Sequence, residues 1–295
     1  MGKPLCPLLR LVYADGEVPA PGTGRKVNEW FDDGGNVYAQ LFRSEALRWI
    51  DWLGLGIFSF AAGCNDVRVW PRPGVRHEAV VKTFSRTIQP IILQGLGWQS
   101  LHAAASIVPA GVLAFCGSKG SGKSTLAFAM HQAGWRQFAD DALVLRLDQD
   151  RVRAVPLVFA PRLRPASRAQ FARAGQPALL PPRTAPPADV CLSSMFLLEQ
   201  NARLTNVRVS LIPKARAFSE LLPHARCFDA EDQAHKRQLV NDYLELVARV
   251  PVFLLEYRPD FRQLPRLIRA VMEAASGIDA DAVFSSELRP AVLPA

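Results

Sequence analysis

Residues 102–141 read HAAASIVPAGVLAFCGSKGSGKSTLAFAMHQAGWRQFADD, an order typical of strand, glycine loop, helix and strand. The apolar run 111–116 has the length and composition of a buried strand, and residues 124–132 favour a helix. Between them lies a match to the pattern G-x-x-x-x-G-K-[ST]. It consists of Gly117, Ser118, Lys119, Gly120, Ser121, Gly122, Lys123 and Ser124. The pattern therefore occurs in the strand–loop–helix context expected of a phosphate-binding loop.

The residue types of this loop suit a nucleoside triphosphate. Glycines let the backbone wrap closely around the phosphates, and the following helix presents its free N–H groups to them. Lys123 is expected to reach the β- and γ-phosphates, and the Ser124 hydroxyl to bind Mg²⁺. We therefore predict that Gly117–Ser124 and the next residue, Thr125, bind ATP with Mg²⁺. The loop by itself does not separate ATP from GTP.

Two adjacent carboxylates, Asp140 and Asp141, follow Lys123 after a stretch just long enough for one helix and one short strand. A turn at Gly134 allows that strand to return them to the phosphate loop. Neighbouring residues at a strand end point to opposite sides, so Asp140 can hold the metal while Asp141 faces the phosphate acceptor. The alternative is a pair of aspartates that only cap a turn.

His102 precedes the phosphate loop by the length of one β-hairpin. We expect it at the end of a strand that pairs with residues 111–116 through a turn at residues 109–111. That position makes the phosphate loop its neighbour. It is a candidate for the active centre, with an ordinary core or edge histidine as the alternative.

These residues resemble the HPr serine kinase/phosphorylase family and its kinase-like relatives, some of which are encoded in peptide-modification gene clusters. The family has a histidine, then a phosphate loop, then an Asp-Asp pair, at characteristic intervals along the chain. The intervals from His102 to Gly117 and from Lys123 to the pair Asp140–Asp141 fit those of the family. Over residues 35–275 the resemblance extends only to the order of elements.

The resemblance implies an α/β fold with a P-loop core and a mixed sheet, related to the nucleotide-binding core of phosphoenolpyruvate carboxykinase. It implies that Asp141 accepts the proton of the substrate hydroxyl, that Ser124 binds Mg²⁺ and that His102 belongs to the active centre. The bifunctional members of this family, which are both kinase and phosphorylase, are hexamers. The resemblance therefore makes self-association a property to test. Their glycine-rich signature with a metal-binding glutamate is missing, because residues 160–170 read APRLRPASRAQ. We therefore predict a kinase without phosphorolysis activity.

Composition narrows the class of protein. The 295 residues are 49% hydrophobic and 21% charged, which indicates a globular protein of one large or two smaller domains. Five widely spaced cysteines without a C-x-x-C pair favour neither disulfides nor zinc, so we expect a cytoplasmic protein. No apolar run reaches the roughly 18 residues of a membrane span, and no signal peptide is visible. The net charge of +8 suggests nucleic-acid binding as an alternative function, but the sequence contains no recognised nucleic-acid-binding motif.

Two groups of basic residues are further candidates for contact with phosphate. One follows the aspartate pair and is suited to an anionic nucleotide or an acidic substrate segment; it comprises Arg151, Arg153, Arg162, Arg164, Arg168 and Arg173. The other is Lys214 with Arg216, which follows a predicted strand and resembles a basic segment of the bifunctional enzymes. Both groups have solvated surface residues as the alternative.

The order of predicted elements divides the chain into three parts. Residues 1–95 hold a proline-rich arm (1–35), a small β-rich unit and a linking helix over 78–96 that Pro90 kinks or splits. Residues 96–275 form the P-loop kinase core, and 276–295 a tail. Predicted elements of the core include the strands 152–159, 190–198, 207–212 and 252–257, the helices 214–222, 231–250 and 261–274, and a proline-rich loop over 175–189.

The predicted activity is transfer of the γ-phosphoryl group of Mg·ATP to a hydroxyl, chiefly a serine of a peptide or small protein. A small-molecule hydroxyl is an alternative acceptor. A second class of function is a nucleotide-dependent regulatory module, in which ATP orders the proline-rich loop for a partner. Which aspartate is the base stays open at this point.

Overall fold

The computed structural model describes residues 9–18, 24–45, 47–61, 64–157, 163–173, 190–227, 229 and 232–277. Within them the chain forms one six-stranded and one nine-stranded sheet, with helices between and around the two. This agrees with the predicted mixed α/β fold. The predicted tail and the loop 175–189 lie outside the described residues, apart from the end of the last helix.

The N-terminal sheet contains six strands: β1 (Arg10–Tyr13), β2 (Arg25–Phe31), β3 (Val37–Arg43), β4 (Arg48–Trp52), β5 (Gly56–Phe60) and β6 (Asp66–Pro71). β2 to β6 form an antiparallel meander, and β1 pairs in parallel with β6. The extended or weakly ordered arm expected over residues 1–35 therefore contributes two strands to this sheet within its described part. β1 and β2 are the two edges of the sheet, where polar residues are tolerated, so their sequences lack a clear apolar alternation.

The linking segment is helical throughout but changes its winding. α1 (His77–Thr83) runs into a π-helical turn (Phe84–Ile88) and then into α2 (Gln89–Gly95). Pro90 lies in the first turn of α2, where its missing N–H costs little, so the predicted break takes the form of a π-turn just before the proline. Buried side chains of this segment contact both sheets, for example Ile88 against Phe58 of β5 and Val144 of the second sheet within one apolar cluster.

The second sheet is mixed and comprises nine strands: β7 (Gln99–Leu101), β8 (Ala104–Val108), β9 (Gly111–Cys116), β10 (Arg136–Ala139), β11 (Leu143–Leu147), β12 (Val152–Val155), β13 (Val190–Gln200), β14 (Arg208–Leu211) and β15 (Val252–Tyr257). The main path follows the order β10-β8-β9-β13-β12-β11-β7, and β15 joins β13 to β14. β13 is parallel to β9 and to β15, whereas the other pairs are antiparallel. β9 is buried over its whole length, as its continuous apolar run predicted.

Helices cover both faces of this sheet. They are α3 (Lys123–Gln132), α4 (Pro165–Arg173), α5 (Lys214–Leu221), α6 (Gln233–Arg249) and α7 (Leu264–Ser276). Leu113 and Phe115 of β9 pack with α3 and α7, whereas its Val112 and Ala114 pack with α5 and α6. The alternation of one strand thus supplies two cores, and α3 lies directly over the strand that precedes the loop.

Several predicted elements are confirmed, with small changes of bounds. β13 extends two residues beyond the predicted end, α6 and β15 agree, and a 3₁₀ turn (Phe261–Gln263) precedes α7. α4 is a helix that the sequence analysis missed, and β12 ends at Val155, earlier than predicted. No helix in the described parts of the chain is long and apolar enough to cross a bilayer.

Candidate active site

The loop between β9 and α3 has the backbone that its glycines allow. Gly117 and Gly122 have φ of 141° and 95°, in the region that favours glycine. A Cβ at Gly117 would lie 2.8 Å from the carbonyl oxygen of Leu198, and one at Gly122 would collide with the Tyr257 hydroxyl. The strands β13 and β15 therefore hold the loop from behind and leave no room for larger residues.

Side chains from the ends of the same two strands bind the loop. Gln200 Nε2 donates to the Gly120 carbonyl at 3.1 Å, and the Tyr257 hydroxyl donates to the Ser121 carbonyl. Burial raises the pKa of Tyr257, so this hydroxyl keeps its proton and remains a donor. The shape of the loop is thus maintained by the sheet itself.

Lys123 folds its ammonium group into the loop. Its Nζ donates to the carbonyl oxygens of Gly117 and Ser118, at 2.7 Å and 3.1 Å. The residue is buried, and burial is the main cause that lowers its pKa, with Arg164 a minor one. The loop carbonyls compensate the buried charge, and Lys123 also lines the pocket beside the loop.

The other predicted nucleotide-binding residues fall into two groups. Gly120, Gly122, Ser124 and Thr125 line a pocket of about 780 Å³, together with Lys119 and Lys123. Lys119 forms an exposed ion pair with Asp33 of the β2–β3 turn. Gly117, Ser118 and Ser121 do not line the pocket. The Ser121 hydroxyl is buried and has no hydrogen-bond partner among the described residues.

Asp140 lies beside the first turn of α3. β10 runs antiparallel to β8 and so returns the chain to the loop. The Ser124 hydroxyl donates to Asp140 Oδ1 at 2.7 Å, and Asp140 is only 5% exposed. The two residues proposed as metal ligands therefore present adjacent oxygens.

Asp141 has the backbone of a strained residue. Its φ of 74° is the only positive value of a non-glycine residue within the described ranges. Its carbonyl oxygen lies 3.0 Å from His102 Nδ1 and accepts from Arg226 Nη2 at 3.2 Å. Its carboxylate receives Arg86 Nη2 at 3.0 Å on Oδ2 and lies 3.3 Å from His102 Nδ1 on Oδ1. Asp140 and Asp141 thus face different neighbours, as predicted, but both lie beyond the end of β10, so strand alternation is not the cause.

Arg86 and Arg226 are site residues that the sequence analysis missed. Arg86 comes from the π-turn of the linking segment, and its side chain is 13% exposed. The only local signal was a cation between the buried Phe84 and Ile88 of an apolar stripe. Arg226 follows a short 3₁₀ turn (Leu222–His224), and burial is the main cause that lowers its pKa. Nothing in its local sequence distinguishes it.

His102 lies in the break between β7 and β8, not at the end of a strand that pairs with β9. The predicted hairpin with β9 through the turn at residues 109–111 is present, but its first strand begins at Ala104, two residues after His102. The side chain nevertheless lines the pocket. Burial and then the Lys123 charge lower the pKa of His102 below its ordinary 6.5, and Asp141 opposes them less strongly. The lowered pKa favours the uncharged imidazole at neutral pH.

The two basic groups are located differently. Arg164 and Arg168 line the pocket, and the Arg164 guanidinium lies 3.1 Å from the position of a Cβ at Gly120. Arg153 instead pairs with Asp148 on the far part of the sheet. Lys214 and Arg216 belong to α5, are exposed and do not line the pocket, which favours the alternative of solvated surface residues. Arg162 lies outside the described residues.

Comparisons with known proteins assign no family. The chain matches no family model and no curated protein. Among solved structures it is similar to the Hpr(Ser) kinase/phosphatase from Coxiella burnetii, with 12% identity over 62% of this chain and 99% of that chain, at a TM-score of 0.34. A likeness at that level does not assign a reaction.

Proposed function

We propose that this protein transfers the γ-phosphoryl group of Mg·ATP to a hydroxyl, chiefly a serine of a peptide or small protein. The observation that carries the proposal is the meeting of a phosphate loop and two adjacent aspartates in one pocket, with Ser124 bonded to Asp140. Either feature alone is common. Together they support a triphosphate site beside two carboxylates with distinct surroundings, and phosphoryl transfer to a hydroxyl needs such an arrangement.

The cationic side chains around the pocket suit a triphosphate. Lys123 at the loop, Arg164 over Gly120 and Arg168 on α4 all line it. The first turn of α3 adds main-chain N–H groups that have no partner within the helix. These donors hold the phosphates and need little rearrangement, so their contribution is positioning and charge neutralisation.

The residues present fit Mg²⁺. Ser124 Oγ and Asp140 Oδ1 are 2.7 Å apart, close to the roughly 2.9 Å between neighbouring ligands of an octahedral Mg²⁺. No cluster of three or more His, Cys, Asp and Glu side chains that could hold a metal occurs in the described ranges. Mg²⁺ is commonly bound by one or two protein oxygens with substrate phosphates and water. When bound, it would neutralise charge on the β- and γ-phosphate oxygens.

Asp141 is the residue we assign as the base. Its side chain is 35% exposed to the pocket, whereas Asp140 is nearly buried and engaged by Ser124. In the proposed step the acceptor oxygen bonds to the γ-phosphorus while the bond to the β–γ bridging oxygen breaks and ADP leaves. The hydroxyl proton passes to Asp141.

Support for a serine acceptor comes only from the resemblance of these motifs to the HPr serine kinase/phosphorylase family described above. The proposal includes a kinase without phosphorolysis, because residues 163–170 of the described chain, next to the pocket, carry no acidic side chain. Release of pyrophosphate from a phosphorylated substrate and inorganic phosphate would contradict that part.

The test uses purified protein, γ-labelled ATP and Mg²⁺ with fractions of a cell extract. We expect label to pass to a peptide or protein component, and we expect Asp141→Asn to stop transfer while ATP still binds. If ATP binds and no component of any fraction, including the small-molecule fraction, accepts label, the nucleotide-dependent regulatory module replaces the kinase. If ATP does not bind, the phosphate-loop function itself is wrong.

A further inference from the structure

The pocket has a second end, which lies on another side of α3 from the aspartates. Ser124 bonds to Asp140, whereas the hydroxyl of the next residue, Thr125, is 2.9 Å from that of Ser167 on α4. Consecutive residues of a helix are about 100° apart around its axis. Asp140 and α4 therefore lie on different sides of the first turn of α3, and the pocket extends to both.

The end of the pocket beside α4 is apolar. Phe128 of α3 and Phe171 of α4 have ring centroids 4.6 Å apart, and Phe171 meets Phe261 edge-on at 6.2 Å. Leu163 is buried in the same cluster, and Leu264 packs against it. Phe261 is only partly buried and lines the pocket. A ring supported from behind by two buried rings thus faces the cavity.

We propose that this apolar end binds the purine base of the nucleotide, with the base packed against Phe261, Leu163 and Leu264. The inference rests on the proposed function. Because the transferred group is the terminal phosphoryl, it must lie beside Asp141, and the nucleoside must extend in the other direction. A flat base gains from contact with an aromatic ring and apolar side chains, typically enough to change affinity several-fold or more.

Among the described residues, the polar groups at this end are poorly placed to distinguish bases. Thr125 and Ser167 bond to each other, and the Asp260 carboxylate accepts from the Arg262 N–H. Arg168 is exposed and is one of the cations assigned above to the phosphates, so it is not dedicated to the base. Strong discrimination between similar ligands needs buried hydrogen-bonding groups dedicated to one of them. The subsite therefore takes ATP and GTP with affinities within about tenfold.

Titration calorimetry with three ligands, Mg·ATP, Mg·GTP and Mg·tripolyphosphate, tests the subsite. Wild-type protein should bind both nucleotides about tenfold or more tightly than tripolyphosphate, which has no base. Phe261→Ala should weaken both nucleotides about tenfold and leave tripolyphosphate unchanged. Phe261→Leu, which keeps apolar bulk, should have an intermediate effect. Arg262→Ala, at an exposed neighbouring position outside the pocket lining, is the matched control and should behave as wild type.

The possible results separate this inference from the proposed function. Tripolyphosphate binding in Phe261→Ala also reports that the variant is folded. The base subsite is wrong if wild type binds ATP and tripolyphosphate with equal affinity, or if Phe261→Ala weakens ATP and tripolyphosphate binding equally. Either result leaves the proposed phosphate loop unaffected. A preference above about a hundredfold between ATP and GTP overturns the lack of discrimination. If no ligand binds to wild type, the proposed function and the subsite both fail.

Discussion

Asp140 and Asp141 are adjacent in the chain, yet their carboxylates have different surroundings. Asp140 accepts from Ser124 and is nearly buried, whereas Asp141 is partly exposed and contacts Arg86 and His102. The left-handed backbone of Asp141 causes this divergence, and the hydrogen bonds to its carbonyl stabilise that backbone. At the scale of the residue, the site depends on the contacts with Arg86, His102 and Arg226 that hold Asp141 in place.

Lys123 and Asp141 should affect different steps. Lys123→Ala removes a charge-assisted contact of about 1.5 to 3 kcal/mol, so it should weaken ATP binding roughly 10- to 100-fold and abolish turnover. Asp141→Asn keeps the shape of the side chain and removes the base, so turnover should fall about 10²- to 10⁴-fold with little change in ATP affinity. Calorimetry and a transfer assay on the same preparations measure both. Equal loss of ATP affinity would make Asp141 a metal or structural residue and move the base to Asp140 or His102.

Arg86 should act through Asp141. Arg86→Gln removes the cation that holds Oδ2, so we expect transfer to fall about 10- to 100-fold while ATP affinity changes little. Arg86→Lys should restore part of the rate, because it keeps the charge but loses the planar donor geometry. Lys82→Gln, on the exposed side of α1, is the control and should leave the rate unchanged. A rate for Arg86→Gln equal to wild type would rule out this role.

At the scale of elements, α3 begins and ends with glycines of similar backbone. Gly122 has a φ of 95° before its first residue, and Gly134 a φ of 97° just after its end. Their surroundings differ: a Cβ at Gly122 would collide with Tyr257 of β15, whereas a Cβ at Gly134 would meet no atom within 4 Å. Gly122 is therefore needed both for its left-handed backbone and for the close approach of Tyr257.

This pair of glycines makes a matched test. Both Gly→Ala variants should lose about 1 to 2 kcal/mol of unfolding free energy, because alanine is strained in a left-handed backbone. Only Gly122→Ala should lose more than this and also weaken ATP binding, because it displaces Tyr257 from the loop. Urea unfolding and calorimetry measure the two effects. Equal stability and equal ATP affinity of the variants would show that the Tyr257 contact is unimportant.

At the scale of the whole molecule, the two sheets share a core. The linking segment lies between them, and Ile88, Phe58 and Val144 belong to one apolar cluster. The N-terminal sheet also contacts the segment that carries Arg226, since Asn28 Nδ2 donates to the Cys227 carbonyl at 3.1 Å. The domain boundary at residue 95 remains a prediction. These contacts mean that the N-terminal part helps to position the segment that carries Arg226.

Three histidines should make the fold sensitive to acid. Burial is the main cause that lowers the pKa of His102, His224 and His235 below 6.5. Below that pH the unfolded chain binds protons that the folded chain excludes, so stability should fall as the pH decreases from 6.5 towards the folded pKa values. Carboxylates with lowered pKa, such as Asp148, contribute only at still lower pH.

One group opposes this trend. The pKa of Asp242 is raised above 3.8, mainly by burial. Its contribution to folding stability is therefore full below pH 3.8 and is lost as the pH rises through its pKa in the folded state. We expect the three histidines to outweigh it, so the urea midpoint should be lower at about pH 5.5 than at about pH 7.5. His224→Gln, which removes one of the three, should reduce the difference. A midpoint that is constant over this range would contradict the prediction.

The sequence by itself determined the parts of this protein that are local in the chain. The loop from Gly117 to Ser124, the buried strand before it and the helix after it follow from glycine positions and apolar runs, which act within a few residues. The return of Asp140 followed from the short stretch of chain after the loop, because one helix and one strand leave the chain few paths.

Only the tertiary structure decided which distant side chains complete the site. Arg86 and Arg226 lie 55 and 85 residues from Asp141 along the chain. Phe261, at the apolar end of the pocket, is further still from Asp141. No local pattern marks them, because their position depends on the packing of the linking segment and on the order of strands. The edge strands β1 and β2 escaped prediction for the same reason: pairing with a neighbour, not their own composition, makes them strands.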